Sequence, residues 1–266
     1  MSIIEIIKTR KSVRGFNNEP ISSEVLNELT GYISDLSAPF DTCARIELLH
    51  SKTNNQPLKL GTYGVISGAN HFMALILKDG PMAEVGAGYL FEQAILYCTE
   101  LGLGTCWLGG TLNKGDFSKQ LKLEDDEKLV IVSPVGYQRS KRKLLDTIMR
   151  AGAGSDHRKP FETVFFDTTP NQPLTKQEAG AFATPLEMVR IAPSASNKQP
   201  WRVVKQENQL HFYHIPNRFS LNDIGIALCH FELTCKELGL KGHYEVLDNM
   251  SSASEMKYIA SWIGEN

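Results

Sequence analysis

Three cations and a hydroxyl crowd into R-K-S-V-R-G-F near the start of the chain: Arg10, Lys11, Ser12 and Arg14. Guanidinium groups bind phosphate in bidentate fashion and a serine hydroxyl adds one hydrogen bond, so the cluster suits a phosphate. That reading puts the cluster on an exposed helix end or turn; the alternative is a solvated charged face. A second polar segment, A-P-S-A-S-N-K-Q-P-W at 192–201, falls between a predicted helix and a predicted strand. Pro193 and Pro200 stiffen it, while Ser194, Asn197 and Gln199 offer donors and acceptors to the edge of a planar polar ligand. The alternative is an ordinary connection ahead of a buried Trp201. A third segment, G-L-G-T-C-W-L-G-G at 102–110, follows a helix rather than a strand, so its glycines are not a dinucleotide fingerprint. It reads as a helix stop, then a backbone free to approach a ligand at Gly109 and Gly110.

Other candidates carry less. His211 and His214 stand three apart on a predicted strand, hence on opposite faces, and no metal site is expected. No Ser-His-Asp arrangement is present, and no side chain is assigned a catalytic role. Arg139, Lys141, Arg142, Lys143 and Arg150 read as a solvated face, attraction of a ligand phosphate being the alternative. The five cysteines, Cys43, Cys98, Cys106, Cys229 and Cys235, form no C-x-x-C pair and read as buried cytosolic thiols.

The elements that must position these residues follow from capping and periodicity. Ser2 and Glu5 form a capping box for a short first helix, and N-E-P-I-S-S-E is a turn and N-cap before Val25, Leu29, Ile33 and Leu36 at helical spacing. Strands are predicted at 45–50, 71–78, 129–136, 201–205 and 211–214. A long, mostly buried helix spans 83–101, stopped by Gly102. A loop, A-G-A-G-S-D, precedes a second plan: Thr175 and Glu178 cap a helix ending near Ile191, and another helix runs from Asp223 to Leu238.

That second plan repeats the first. N-Q-P-L-T at 171–175 echoes N-E-P-I-S at 18–22, and C-K-E-L-G-L at 235–240 echoes C-T-E-L-G-L at 98–103, an offset of 137. The same register pairs Gly88 with Gly225, Leu96 with Leu233 and Trp107 with Tyr244. Matches in the same order with the same structural role indicate internal duplication. The halves are 1–165 and a shorter 166–266.

Composition excludes the remaining classes. The chain has 266 residues and a formal net charge of −2, with 42% hydrophobic and 22% charged residues, as in a folded soluble protein. Near-neutral charge gives no drive toward nucleic acid. The longest apolar stretch, Phe72 to Leu77, is far short of the roughly 18 residues of a membrane span. No signal peptide is expected, and the location is read as cytoplasmic.

R-K-S-V-R-G-F, A-P-S-A-S-N-K-Q-P-W, E-L-G-L-G-T-C-W-L-G-G, the strand ending P-V-G-Y and H-R-K-P-F-E together resemble the nitroreductase family. G-T-Y-G-V-I-S-G-A at 61–69 is similar to its single-chain branch. The resemblance implies an α+β fold, FMN as cofactor and NAD(P)H as electron donor. Hydride passes by a ping-pong mechanism to a small electrophilic acceptor, a nitroaromatic or quinone. The alternative is a degenerate flavin-binding protein with little turnover.

In the usual homodimer the basic motif and the P-S-S-x-N segment come from different subunits. Here each half keeps one and has lost the other: L-S-A-P-F-D-T-C-A-R stands where the first half's polar segment belongs. The resemblance therefore implies an intramolecular pseudo-dimer with one composite FMN site, a monomer or weak homodimer in solution. Carried over, Arg10, Lys11 and Ser12 hold the phosphate and ribityl chain, and Arg14 lies near flavin N1 and O2. Leu108, Gly109 and Gly110 cross the ring by backbone. Pro193, Ser194, Ala195, Asn197 and Gln199 come from the second half, Ala195 replacing a frequent Ser. Arg158 matches a late phosphate-binding position, although Asp156 replaces its usual Lys companion.

Overall fold

The computed structural model describes residues 1–50, 52–53, 56–57, 62, 64–110, 113–140, 157–169, 172–248, 250, 252 and 255–265. The basic residues Lys141, Arg142, Lys143 and Arg150, the 151–156 loop with Asp156, Asn171, and Gly61 and Tyr63 of the 61–69 segment lie outside the described residues. The chain forms two compact units, Thr9–Gly152 and Met1–Lys8 with Ala153–Asn266.

The first helix, α1 (Ile3–Thr9), begins with the expected box: the Glu5 N–H donates to Ser2 Oγ at 3.2 Å and the Ser2 N–H to Glu5 Oε2 at 3.3 Å. In the Thr9–Gly152 unit, Ser22 caps α2 (Ser23–Ser34) by accepting the Val25 N–H. The strands β1 (Ala44–His50), β4 (His71–Lys78), β5 (Gly104–Thr105) and β6 (Glu127–Gly136) form one antiparallel sheet in the order β1–β4–β6–β5. A two-residue hairpin, β2 (Lys52–Thr53) and β3 (Gln56–Pro57), pairs separately. The uninterrupted apolar run of β4 is explained by burial on both faces. Met73, Leu75 and Leu77 pack with Leu29 of α2 and with Phe91 and Ile95 of α3 (Ala83–Glu100). Phe72, Ala74 and Ile76 pack with Leu121 and with Phe117 of α4 (Lys114–Ser118). Gly102, at φ 74°, ends α3 in the left-handed conformation a glycine adopts without penalty.

In the other unit, β7 (Phe165–Asp167) lies parallel to β8 (Trp201–Gln206), and β9 (Gln209–His214), β11 (Lys257–Gly264) and β10 (Gly242–Glu245) extend the sheet antiparallel. Its order is β10–β11–β9–β8–β7. Read from β8, the order β8–β9–β11–β10 matches β1–β4–β6–β5 strand for strand along the chain. The expected single helix from the Thr175 box to Ile191 is instead broken. The box is present, but α5 (Lys176–Ala179) gives way to a 3-10 turn at Gly180, φ 58°, before α6 (Ala183–Ile191). α7 (Ser220–Glu237) is the counterpart of α3. Phe212, Phe231, Tyr244 and Trp262 form an edge-to-face aromatic core at centroid distances of 5.2–5.9 Å.

Cys98, Cys106, Cys229 and Cys235 are buried as expected, but Cys43, just before β1, is exposed. Among the described residues no helix is long and apolar enough to cross a membrane, and no group of three or more His, Cys, Asp or Glu could hold a metal ion. His211 and His214 are both buried, each with Nδ1 bonded to a serine hydroxyl, Ser261 and Ser220 respectively.

Candidate functional site

The basic motif starts at the end of α1, with Arg10 directly after Thr9, but from Ser12 to Phe16 it is held in bridges to remote segments rather than in a turn. Past Thr9 the chain runs extended and is stitched into the Thr9–Gly152 unit by main-chain bonds. The Val13 N–H donates to the Thr105 carbonyl at 2.8 Å and the Phe16 N–H to that of Ser67 at 2.8 Å. The Ser67 N–H returns a bond to the Arg14 carbonyl at 2.9 Å, and the Arg139 N–H bonds that of Gly15 at 3.0 Å. These partners are remote in sequence, so no local pattern announces the conformation. Val13 and Phe16 are buried, and two glycines make room for them. A Cβ on Gly104 would stand 2.8 Å from Val13 Cβ, and one on Gly136 3.1 Å from the Phe16 ring. Alternation along an extended chain then turns Ser12 and Arg14 away from the side that Val13 buries.

Lys11 is exposed, and Ser12 and Arg14 are half-buried. Arg10 is drawn inward: its side chain is 7% exposed and Nε lies 3.9 Å from Oε1 of Glu92, which is fully buried on α3. Oε2 of Glu92 accepts the Trp107 indole N–H at 2.8 Å. One carboxylate thus links the start of the basic motif to the glycine-rich segment. Beyond Trp107, Leu108 exchanges two main-chain bonds with Val132, at 2.9 and 3.0 Å, which fixes where Gly109 and Gly110 emerge.

The second polar segment connects α6 to β8 in the other unit. Its backbone is unusual: Ser196, Asn197 and Gln199 have φ of 51°, 54° and 47°. Non-glycine residues enter this region at a cost, so the surroundings must impose it. The Gln199 N–H donates to Ser194 Oγ at 2.8 Å. Asn197 Oδ1 accepts Arg158 Nη1 at 2.9 Å, and its Nδ2 donates to the His157 carbonyl at 2.7 Å. Gln199 is 2% exposed and its amide is committed within the fold, accepting the Lys159 N–H at 2.9 Å and donating to Asn197 at 3.2 Å. Pro193, Ser194, Ala195 and Asn197 remain half-buried, with Trp201 wholly buried beyond them. The expected members of this segment thus come together with Arg158.

Sequence reading missed four charged residues here and in the other unit. Glu92 and Asp223 each fall inside the apolar stretch of a long helix, a signal that was available. The N–H of Ala195 donates to Asp223 Oδ1 at 3.0 Å. Asp223 is 4% exposed, and burial pushes its carboxyl up to about 7, opposed by the Ala195 bond and Lys198. Lys159 Nζ and Arg202 Nη1 both donate to the Gln199 carbonyl, at 3.4 and 3.2 Å. Burial lowers both pKa values, and Arg202 lowers that of Lys159 further.

One antiparallel sheet and one sheet that is antiparallel except for the parallel β7–β8 pair, each paired with a long buried helix, give the α+β architecture of a nitroreductase-like protein. The chain belongs to the family described as "Putative TM nitroreductase", whose model matches residues 2–235. A structure from Thermotoga maritima MSB8, described as "a putative nitroreductase", is similar over 99% of this chain and 94% of its own, with TM-score 0.65 and 20% identity. A nitroreductase family protein from Clostridium novyi NT covers 55% of this chain and 92% of its own, with TM-score 0.44 and 20% identity. A nitroreductase with bound FMN from Bacteroides fragilis NCTC 9343 covers 54% and 92%, with TM-score 0.42 and 18% identity. No curated protein matches the chain.

Proposed function

We propose that the protein is an FMN-dependent oxidoreductase that takes a hydride from NADH or NADPH and delivers it to an electrophilic acceptor, a nitroaromatic or quinone, by alternate binding. The observation that carries this reading is the extended Arg10–Phe16 segment. In this nitroreductase-family chain, main-chain bonds and buried Val13 and Phe16 fix the backbone from which Ser12 and Arg14 project.

The donor set fits the cofactor. Lys11, Ser12 and Arg14 supply two cations and a hydroxyl; Arg158, Ser194 and Asn197 add a cation and neutral polar groups on a rigid backbone. Such a mixture suits a ligand with a phosphate at one end and a hydrogen-bonding ring edge at the other. When bound, FMN would supply hydride acceptance and return. Arg14 would favour the negative charge that reduction leaves on the pyrimidine edge, through the positive charge of its guanidinium. Lys11, Ser12 and Arg158 would hold the phosphate and ribityl chain, and Arg10, tied to Glu92, would set the start of the motif. Leu108, Gly109 and Gly110 would face the ring by backbone. Hydride transfer needs no nucleophile, and none is assigned.

The same reading makes the chain an internal duplication in which one FMN draws on both units. The matching strand orders support it. So do Trp107 and Tyr244, which occupy equivalent positions and each bond back to the long helix of their own unit, at Glu92 and at the Leu228 carbonyl. A cytoplasmic location and a monomeric or weakly dimeric state belong to the same proposal.

The test is the flavin absorbance of the full-length protein, mixed with FMN under anaerobic conditions and titrated with NADH and NADPH. Retained colour that either nucleotide bleaches, then restored by a quinone, is the expected result. A protein that cannot retain FMN overturns the proposal. Colour that neither donor bleaches leaves a binding protein without turnover and overturns the enzymatic part.

A further inference from the structure

Asp223 stands at the start of α7, 4% exposed, with one oxygen bonded and the other, Oδ2, making no hydrogen bond. A buried carboxylate held through a single oxygen is costly to keep, so its retention calls for a reason. Its one bond goes to Ala195, immediately before the left-handed Ser196 and Asn197. Other bonds to this backbone come from within the segment, from the 157–159 stretch and from Arg202 on β8; Asp223 ties it to the eighteen-residue helix.

The other unit supplies the contrast. The position equivalent to Asp223 on α3 is Gly86, by the offset of 137. A Cβ there would collide with the side chain of Thr42, so a carboxylate at that place would have to displace Thr42. The corresponding stretch, L-S-A-P-F-D-T, lacks the P-S-A-S-N pattern. The acid therefore accompanies the intact polar segment and is missing where the segment has degenerated.

We propose that Asp223 is a positioning residue for flavin binding: by holding the Ala195 N–H it fixes the Ser194–Gln199 backbone in the conformation that receives FMN. This rests on the FMN reading given above. Charged and titratable groups among the described residues stand on the elements around it. Lys198, in the segment itself, acts on the carboxyl directly. On β9, His214 is bonded to Ser220 at 2.8 Å; on β8, Arg202 is turned to the Gln199 and Trp201 carbonyls; on α6, Arg190 is bonded to Glu187. None of these three is bonded to Asp223, so a proton on its carboxyl acts on the segment through Ala195.

The experiment measures FMN dissociation constants of the full chain by flavin fluorescence across neutral pH for wild type, Asp223→Asn and Asp223→Ala. Asp223→Ala should bind FMN about tenfold or more weakly with unchanged circular dichroism, since the segment loses its anchor. Asp223→Asn should stay within about threefold of the wild type, because its amide oxygen can accept the same N–H. Wild-type affinity should change through neutrality and that of Asp223→Asn should not. Equal binding by a folded Asp223→Ala, or a pH dependence that persists in Asp223→Asn, overturns the proposal. If Asp223→Ala does not fold, the pH comparison of the other two decides. Failure of the wild type to bind FMN at every pH instead overturns the FMN reading and, with it, this inference.

Discussion

Replacing Asp223 by asparagine also isolates a term in stability. In the folded chain burial pushes this carboxyl to about 7, against an ordinary value of 3.8. Below about pH 4 folded and unfolded chains both carry the proton, so the group is neutral to stability there. Between about pH 4 and 7 the folded chain keeps a proton that the unfolded chain has released, so stability falls as pH rises, by up to about 1.4 kcal/mol per unit. Over roughly three units the loss amounts to about 4 kcal/mol, complete above pH 7. Asparagine retains an acceptor for Ala195 but cannot ionise. Its NH2, replacing the unbonded Oδ2, displaces the curve by a constant and leaves the slope to report the titration. Urea unfolding followed by tryptophan fluorescence, from about pH 5 to about pH 8, should show the variant gaining on the wild type as pH rises to about 7 and levelling off above it. A difference that stays flat, or favours the wild type at high pH, would refute the reasoning, since the carboxyl would then already be ionised across the range.

Other perturbations address the remaining parts of the site. Arg14→Ala should lower the two-electron flavin potential by about 30–60 mV, the equivalent of one charge-assisted hydrogen bond, measured by dye equilibration; an unchanged potential with FMN still bound removes its assigned role. Glu92→Ala should cost about 3–5 kcal/mol in urea unfolding, because it removes the buried carboxylate beside the guanidinium of Arg10. Glu92→Gln keeps an acceptor for Trp107 and should cost clearly less; equal costs would show that the charge of Glu92 contributes nothing. An aromatic disulfide reagent should titrate Cys43 alone in the native protein, with the four buried thiols reacting only on unfolding. Burial supports this for Cys235, whose thiol it pushes up to about 12.

What the sequence made legible was what is local. The 71–78 strand and the 83–101 helix are found within a residue, because each is a long apolar run with a clear stop at Lys78 or Gly102. The capping boxes at Ser2 and Thr175 are both formed. The single helix expected up to Ile191 fails at Gly180, whose positive φ breaks the ladder although the apolar periodicity continues through it. β10 and β11 escaped notice, though K-Y-I-A-S-W-I-G is a plausible strand by residue type. The site divides along the same line. The composition of R-K-S-V-R-G-F was readable, but its extended shape depends on Ser67, Thr105 and Arg139, and nothing within ten residues encodes that. The members of the 193–199 segment were all visible in the sequence. The roles of Gln199 as an internal strut and of Asp223 as an anchor are properties of packing.

The first eight residues carry a consequence for dissecting the chain. Ile6 and Ile7 of α1 are buried, Ile3 N–H is bonded to Glu237, and Met1–Lys8 cluster with residues 153–266, whereas the very next residues are sewn into the other sheet. The polypeptide therefore changes unit twice, once at 8/9 and once at 152/153. A gene cut at 152 would split one unit: the first fragment would carry Met1–Lys8 as an orphan beside a whole Thr9–Gly152 unit, and the second would lack the buried Ile6 and Ile7. The two pieces should recover native structure only when expressed together, as complementing fragments. A permuted chain that begins at Thr9 and carries Met1–Lys8 after Asn266 would keep each unit continuous.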